Sequence, residues 1–325
     1  MHKKSYYIGL DIGGTKCAVC LGNDQAIPID KIKFPTPKGF TPTLKLLFEA
    51  IKQITERNKI DLNSQIKSIG ISCGGPLDEV RGIVQSPPNL PDWDDIHIVD
   101  IIKKELDIPT FLMNDANACA LAEWQHGAGQ NTSNMIFITM GTGLGAGLIL
   151  NGRIYAGTCG MAGEVGHTRL AKNGPEGYGK KGSFEGFCGG SGIALHAEQL
   201  AREYHDKTTL DEYFDIVGEK IFSAKYLNEA TLQNNKFALS VFEKTGTYLG
   251  RGLATLIDIL NPEAIVIGSI FERCENFLRP SMELVLQEEC LRANLQACKI
   301  VPAKLNEQIG DYACLIVAHY NSSRQ

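Results

Sequence analysis

Two stretches of the chain repeat one pattern of apolar positions. Each has an apolar strand, a glycine-rich turn and a second strand: Tyr6 to Cys20 around Gly13-Gly14, and Asn134 to Leu150 around Gly141-Thr142-Gly143-Leu144-Gly145. Turn signals follow both, Gly22-Asn23-Asp24 and Asn151-Gly152. The repeat reads as a duplicated domain start. Between the copies the periodicity predicts a helix near 41–57, strands at 66–71 and 110–113, and a helix over 116–126. Beyond residue 190 the chain is mostly helical, the best helix being 238–259, stopped by Asn261-Pro262. A buried strand is expected at 264–268 and a last helix at 311–320. Strands alternating with helices predict a mixed α/β fold.

Composition narrows the function classes. With 43% hydrophobic and 21% charged residues over 325 positions, the chain reads as a globular enzyme of two domains. A net charge of −5 gives no basic face for nucleic acid. No run reaches the roughly 18 apolar residues of a membrane span, and the N-terminal stretch lacks a signal-peptide cleavage site. The ten scattered cysteines, Cys17 and Cys20 among them, read as buried free thiols, which suggests the cytoplasm.

The chemistry starts at Asp11-Ile12-Gly13-Gly14-Thr15-Lys16. Adjacent glycines bring backbone N–H groups close to an anion, Thr15 adds a hydroxyl donor, and Asp11 could hold Mg²⁺ directly or through water. The competing reading is a plain hairpin turn with a surface acid. Gly141-Thr142-Gly143 leads into a strand, so it is neither a dinucleotide fingerprint nor a Walker loop. It is either a second phosphate clamp or a glycine-rich strand packed on another backbone.

Asn114-Asp115 follows a strand and opens a helix. Asp115 there is either a helix cap or a base that takes a hydroxyl proton as the oxygen attacks a γ-phosphate, with Asn114 fixing a second hydroxyl. Gly74-Gly75-Pro76 and the loop around Asn89 have the composition of ligand-bearing loops and equally of simple turns. Glu164, His167 and Glu185 offer directional partners for sugar hydroxyls.

Taken in order, these segments resemble the ROK family of sugar kinases and repressors, part of the actin-like ATPase superfamily. The resemblance rests on Leu10 to Lys16, Gly74-Gly75-Pro76 with Pro88-Asn89-Leu90, Asn114 to Ala118, Gly141 to Gly147 running on to Gly163-Glu164-Val165-Gly166-His167, and Asn261 to Gly268. It implies two actin-like (ribonuclease H-like) domains with ATP and sugar in the cleft between them, closing on the sugar. The expected domains are 1–118, with a terminal helix 311–325 packing back on it, and 119–310. It implies Asp115 as base and sugar contacts from Gly75, Asn89, Asn114, Glu164, His167 and Glu185. Mg·ATP is expected on Asp11, Gly13, Gly14, Thr15, Lys16, Gly141, Thr142, Gly143 and Gly268.

The implied activity is glucokinase-like transfer to the 6-hydroxyl of a hexose. Alternative substrates are an N-acetylhexosamine or fructose, and a homodimer or homotetramer is expected. A different class, a sugar-responsive repressor or non-catalytic sensor, is disfavoured by the intact Asp115 and by a first loop close to the start of the chain. One departure stands out. Where zinc-containing members carry cysteines, this chain has Glu176, Tyr178 and Ser183. Structural zinc needs about four nitrogen or sulfur ligands, so none is expected, and packing must hold the loop. A smaller departure is Ser269 after Gly268, where the family often has a further glycine.

Overall fold

The first apolar repeat folds as an antiparallel hairpin, β1 (Tyr6–Ile12) and β2 (Lys16–Gly22), in a computed structural model that describes residues 4–323. β3 (Pro28–Pro35) pairs antiparallel with β2. The helix α1 (Phe40–Arg57) follows, and then β4 (Ile66–Cys73) and β5 (Thr110–Asn114) extend the sheet in parallel on the other side of β1. The strand order is β3-β2-β1-β4-β5. β1 and β4 are buried along nearly their whole length, as strands covered on both faces must be, whereas edge strand β3 alternates between half-buried and exposed. α2 (Asp115–His126) leaves the end of β5 directly.

The C-terminal helix Ile309–Ser322 lies across β1 and β4. Glycines make that approach possible: a Cβ on Gly70 would stand 2.3 Å from the Ala318 nitrogen and 2.4 Å from the Cys314 carbonyl oxygen. Ser68 ties the same face, its Oγ donating to the Ala318 carbonyl at 3.0 Å.

The second repeat builds the second sheet. β6 (Met135–Met140) and β7 (Leu144–Leu150) form an antiparallel hairpin, and β8 (Ala264–Ser269) and β9 (Lys299–Pro302) add in parallel beyond β6. The two-residue strand Arg153–Ile154 edges β7, so in both sheets the third strand leads and the order is third, second, first, fourth, fifth. The helical part includes α3 (Gly190–Glu203), α4 (Lys236–Leu260) and α5 (Ile270–Glu289). Asn235 caps α4, its side chain accepting from the Ala238 N–H at 3.0 Å. Asn261, in the left-handed region at φ 42, ends it before Pro262.

The chain divides into two compact units. One runs to Gly127 and takes in Ile154–Ala162 and the stretch from Glu307; the other is Ala128–Arg153 with Gly163–Asn306. The boundary expected at 118/119 falls inside α2, because that helix belongs whole to the first unit. The expected helix 311–325 begins two residues earlier, and its last two positions lie outside the described residues. Most cysteines are buried free thiols as expected, but Cys119 and Cys290 are half-buried and Cys159 is exposed. No helix among the described residues is long and apolar enough to cross a membrane.

Candidate active site

In the first unit the loop after β1 is a tight turn held from behind. The Gly13 N–H donates to the Lys16 carbonyl at 3.2 Å, and Thr36, just past β3, donates its hydroxyl to the Gly13 carbonyl at 2.6 Å. Thr36 also donates its N–H to the Thr15 carbonyl at 3.0 Å. Gly14 is required by a neighbour: a Cβ there would lie 2.3 Å from the Asn89 carbonyl oxygen. The loop 86–93 that carries Asn89 is anchored by Trp93, fully buried against Phe40 with ring centroids 5.1 Å apart. So the Gly13–Lys16 turn and the Asn89 loop touch through backbone, and Asn89 itself is exposed.

Asp11, the last residue but one of β1, lies beside the first turn of the C-terminal helix, where a Cβ on Gly310 would come within 2.8 Å of its carboxylate. Burial, then Asp311, then Asp115 push its carboxyl from 3.8 up to about 6, against the pull of Lys31 and Lys16. Lys31 is largely committed to Asp311, at 2.6 Å. A half-buried carboxylate among acids short of cations is a fitting oxygen donor for a hard divalent ion.

Sequence left Asp115 between cap and base. The cap role falls to its neighbour: Asn114 Oδ1 accepts from the Ala116 N–H at 3.0 Å and the Asn117 N–H at 3.4 Å. Asp115 is the first helical residue. Its Oδ1 accepts from the Ala116 N–H at 2.8 Å, and a Cβ on Gly74 would lie 3.7 Å from its Oδ2. Its side chain is reached by water, yet protein surrounds it on its other sides, and this loss of hydration pushes the carboxyl above its ordinary range. Asn114, expected to fix a hydroxyl, has its oxygen engaged and keeps its amide nitrogen beside Gly75, where a Cβ would lie 3.5 Å away. Glu79 was not singled out from sequence. Its Oε1 accepts the Asn114 main-chain N–H at 2.8 Å, and burial pushes its carboxyl up.

In the second unit Glu185 does structural duty at the other glycine loop. Its Oε2 accepts the Leu144 N–H at 2.9 Å, and a Cβ on Gly143 would lie 2.6 Å from it. The first residues of α3 close the loop from below, with Gly190 N–H donating to Gly141 O at 2.8 Å and Ser191 N–H to Thr142 O at 3.1 Å. Gly141 also neighbours the end of β8, its would-be Cβ 3.9 Å from Ser269 Oγ. Ser269, next to Gly268, sits at φ 65 and ψ −107, a backbone region that favours glycine. Gly163-Glu164-Val165-Gly166-His167 lies along β7: a Cβ on Gly163 would meet Ala146 O at 2.1 Å, and one on Gly166 Leu144 O at 2.1 Å. Glu164 and His167 are exposed.

The zinc-motif positions are put to other uses. Glu176 and Tyr178 are exposed, and Ser183 caps the short helix Phe184–Cys188 by accepting from the Gly186 N–H at 3.1 Å. Among the described residues no three His, Cys, Asp or Glu side chains gather for a metal. The loop is held by the small hairpin Glu176–Gly177/Lys180–Lys181 and two cations. Lys180 Nζ donates to the His167 carbonyl at 2.7 Å, and Arg169 donates to the Lys181 carbonyl at 2.6 Å.

The ROK family profile matches residues 7–319. A glucokinase from Halalkalibacterium halodurans is 34% identical over 85% of this chain and 83% of its own length. Among solved structures, a ROK family glucokinase from Streptomyces griseus in complex with glucose and AMPPNP superposes with a TM-score of 0.78 at 27% identity, covering 97% of this chain and all of that one. A ROK family transcriptional regulator, a homolog of the E. coli MLC protein, superposes at 0.83 with 26% identity, covering 98% of this chain and 79% of that one.

Proposed function

Since the chain belongs to the ROK family and has its two-domain actin-like α/β fold, we propose that it is an ATP-dependent sugar kinase of the cytoplasm acting on the 6-hydroxyl of a glucose-type hexose. The observation that carries this reading is the division of labour at the start of α2. Asn114 caps the helix, so Asp115 is available as the base. Its neighbour Asp11 lies at the Gly13–Lys16 turn in the same unit. The glucokinase relatives support the substrate class.

In this mechanism the ATP phosphates are received by the turn at Gly13, Gly14, Thr15 and Lys16 and by Gly141, Thr142 and Gly143, with Gly268 on the adenosine side. Asp11 would hold Mg²⁺, directly or through water, and that ion would supply positive charge to offset the phosphate oxygens. Gly75, Asn89, Asn114, Glu164 and His167 orient the sugar. Glu185 contributes through the loop it fixes as well as through the sugar. Asp115 removes the hydroxyl proton as that oxygen attacks in line.

Asp115→Asn is expected to keep sugar affinity in calorimetry and to lose turnover by about 10²- to 10⁴-fold in a coupled ADP-release assay. Because the Asp115 carboxyl is raised and acts ionised, activity falls on the acid side at a pH above the ordinary aspartate range, and the Asn variant loses that limb. Near-normal turnover in the variant would remove Asp115 from the mechanism. The same assay run across glucose, N-acetylmannosamine, N-acetylglucosamine and fructose fixes the acceptor. The likeness to a ROK transcriptional regulator favours a second reading, a sugar-responsive sensor. Sugar binding without ADP release from any of these acceptors would select it.

A further inference from the structure

The helix that presents Asp115 has its start completed from elsewhere in the chain. In a capping box, the third helical residue reaches back to accept the main-chain N–H of the cap residue. Here the cap is Asn114 and the third residue is Asn117, whose side chain turns to Glu79 instead. Glu79 stands in the turn between the paired strands Leu77–Asp78 and Ile83–Val84. Its Oε1 takes the Asn114 N–H at 2.8 Å. One carboxylate thus joins both ends of the turn 114–117, and Asp115 lies between them. Asn117 is 2% exposed, so its side chain is held in place by packing and Glu79 has a fixed anchor.

We propose that Glu79 is a positioning residue for Asp115, fixing the first turn of α2 so that the base meets the sugar hydroxyl at one distance and angle; this rests on the reading of Asp115 as base. A base displaced by about 1 Å can lose on the order of 10²-fold in rate with no contact to substrate removed. Glu79 acts by geometry and not by charge. A glutamine side chain at this position would therefore serve: its Oε1 accepts the Asn114 N–H, and its Nε2 can donate to Asn117 Oδ1, which has no partner now, once that amide turns over.

The test uses the full-length protein with Glu79→Ala and Glu79→Gln, measured by steady-state kinetics and by hydrogen exchange of the segment 113–118. Glu79→Ala is expected to lower kcat by about 10- to 100-fold, to leave the KM for ATP within about twofold, and to speed exchange in that segment. Glu79→Gln is expected to match the parent in both. Full kcat in Glu79→Ala, or a Gln variant as impaired as the Ala variant, would overturn the proposal. If the Ala variant does not fold, Glu79→Asp, one methylene short, takes its place, with the Gln variant deciding in the same way. Full turnover by Asp115→Asn would sink the base assignment instead, and it leaves the exchange result standing as a separate measurement.

Discussion

At Asp11, burial and two neighbouring carboxylates act in the same direction. A carboxyl raised from 3.8 to about 6 in the folded protein is ionised there less readily than in the unfolded chain. The folded state therefore binds the extra proton. Ionised Asp11 weakens the fold above about pH 6, and stability returns as pH falls from there towards 3.8. At ~1.4 kcal/mol per pH unit, the weakening is at most about 3 kcal/mol. Asp11→Asn is expected to raise the melting temperature of the nucleotide-free protein at pH 8, to lose that advantage by pH 4, and to impair turnover with Mg·ATP. A melting series over pH on both proteins checks this. An equal gain at every pH would mean that the carboxylate is not the source. In the proposed mechanism such a site exchanges stability without ligand for affinity for a cation.

Among the elements, those with a complete local signal were legible in sequence. Both hairpins, α1, α2, α4 and β8 fall within a few residues of their expected bounds, because periodicity, turn residues and Asn261-Pro262 all point one way. β3 was missed: it is an edge strand in which half-buried positions alternate with exposed ones, and Lys31 and Lys33 hide its face. Around the candidate site, sequence offers residues but not the contacts they make. Nothing local tells that Asn114 and not Asp115 caps α2, since either could. Glu79 meets Asn114 across 35 positions, a distance that no short pattern spans. Glu185 likewise carries a loop 41 residues away. The loop 168–185 shows the same limit, for lost cysteines reveal what is gone but not that Lys180 and Arg169 tie its backbone. Dialysis against a zinc chelator is expected to leave both melting temperature and sugar KM unchanged. Combined Arg169→Ala and Lys180→Ala is expected to raise sugar KM several-fold while kcat changes little. Zinc found at one ion per chain by metal analysis would reverse this account.

For the whole molecule, the two sheets share one strand order, and each of the two proposed phosphate-binding loops is the turn of its first hairpin. Duplication thus places equivalent turns at equivalent points, and the later segments differentiate them. The units differ in continuity. The first takes its last helix from beyond residue 306, after the whole of the second. Until that helix arrives, the face of β1 and β4 at Gly9 and Gly70 lacks its cover. Synthesis runs from N- to C-terminus, so the usual order in which an N-terminal domain matures first is inverted. A released, truncated chain ending at 306 is expected to show a protease-resistant second unit and a digestible first one, with resistance of the first appearing only in a chain that runs through 322. Resistance of the first unit at 306 would refute this. Asp115, the proposed base, and the turn at Gly13 both belong to the late-maturing unit, so on that reading a nascent chain whose segment 309–322 has not yet emerged lacks a finished site and consumes no ATP.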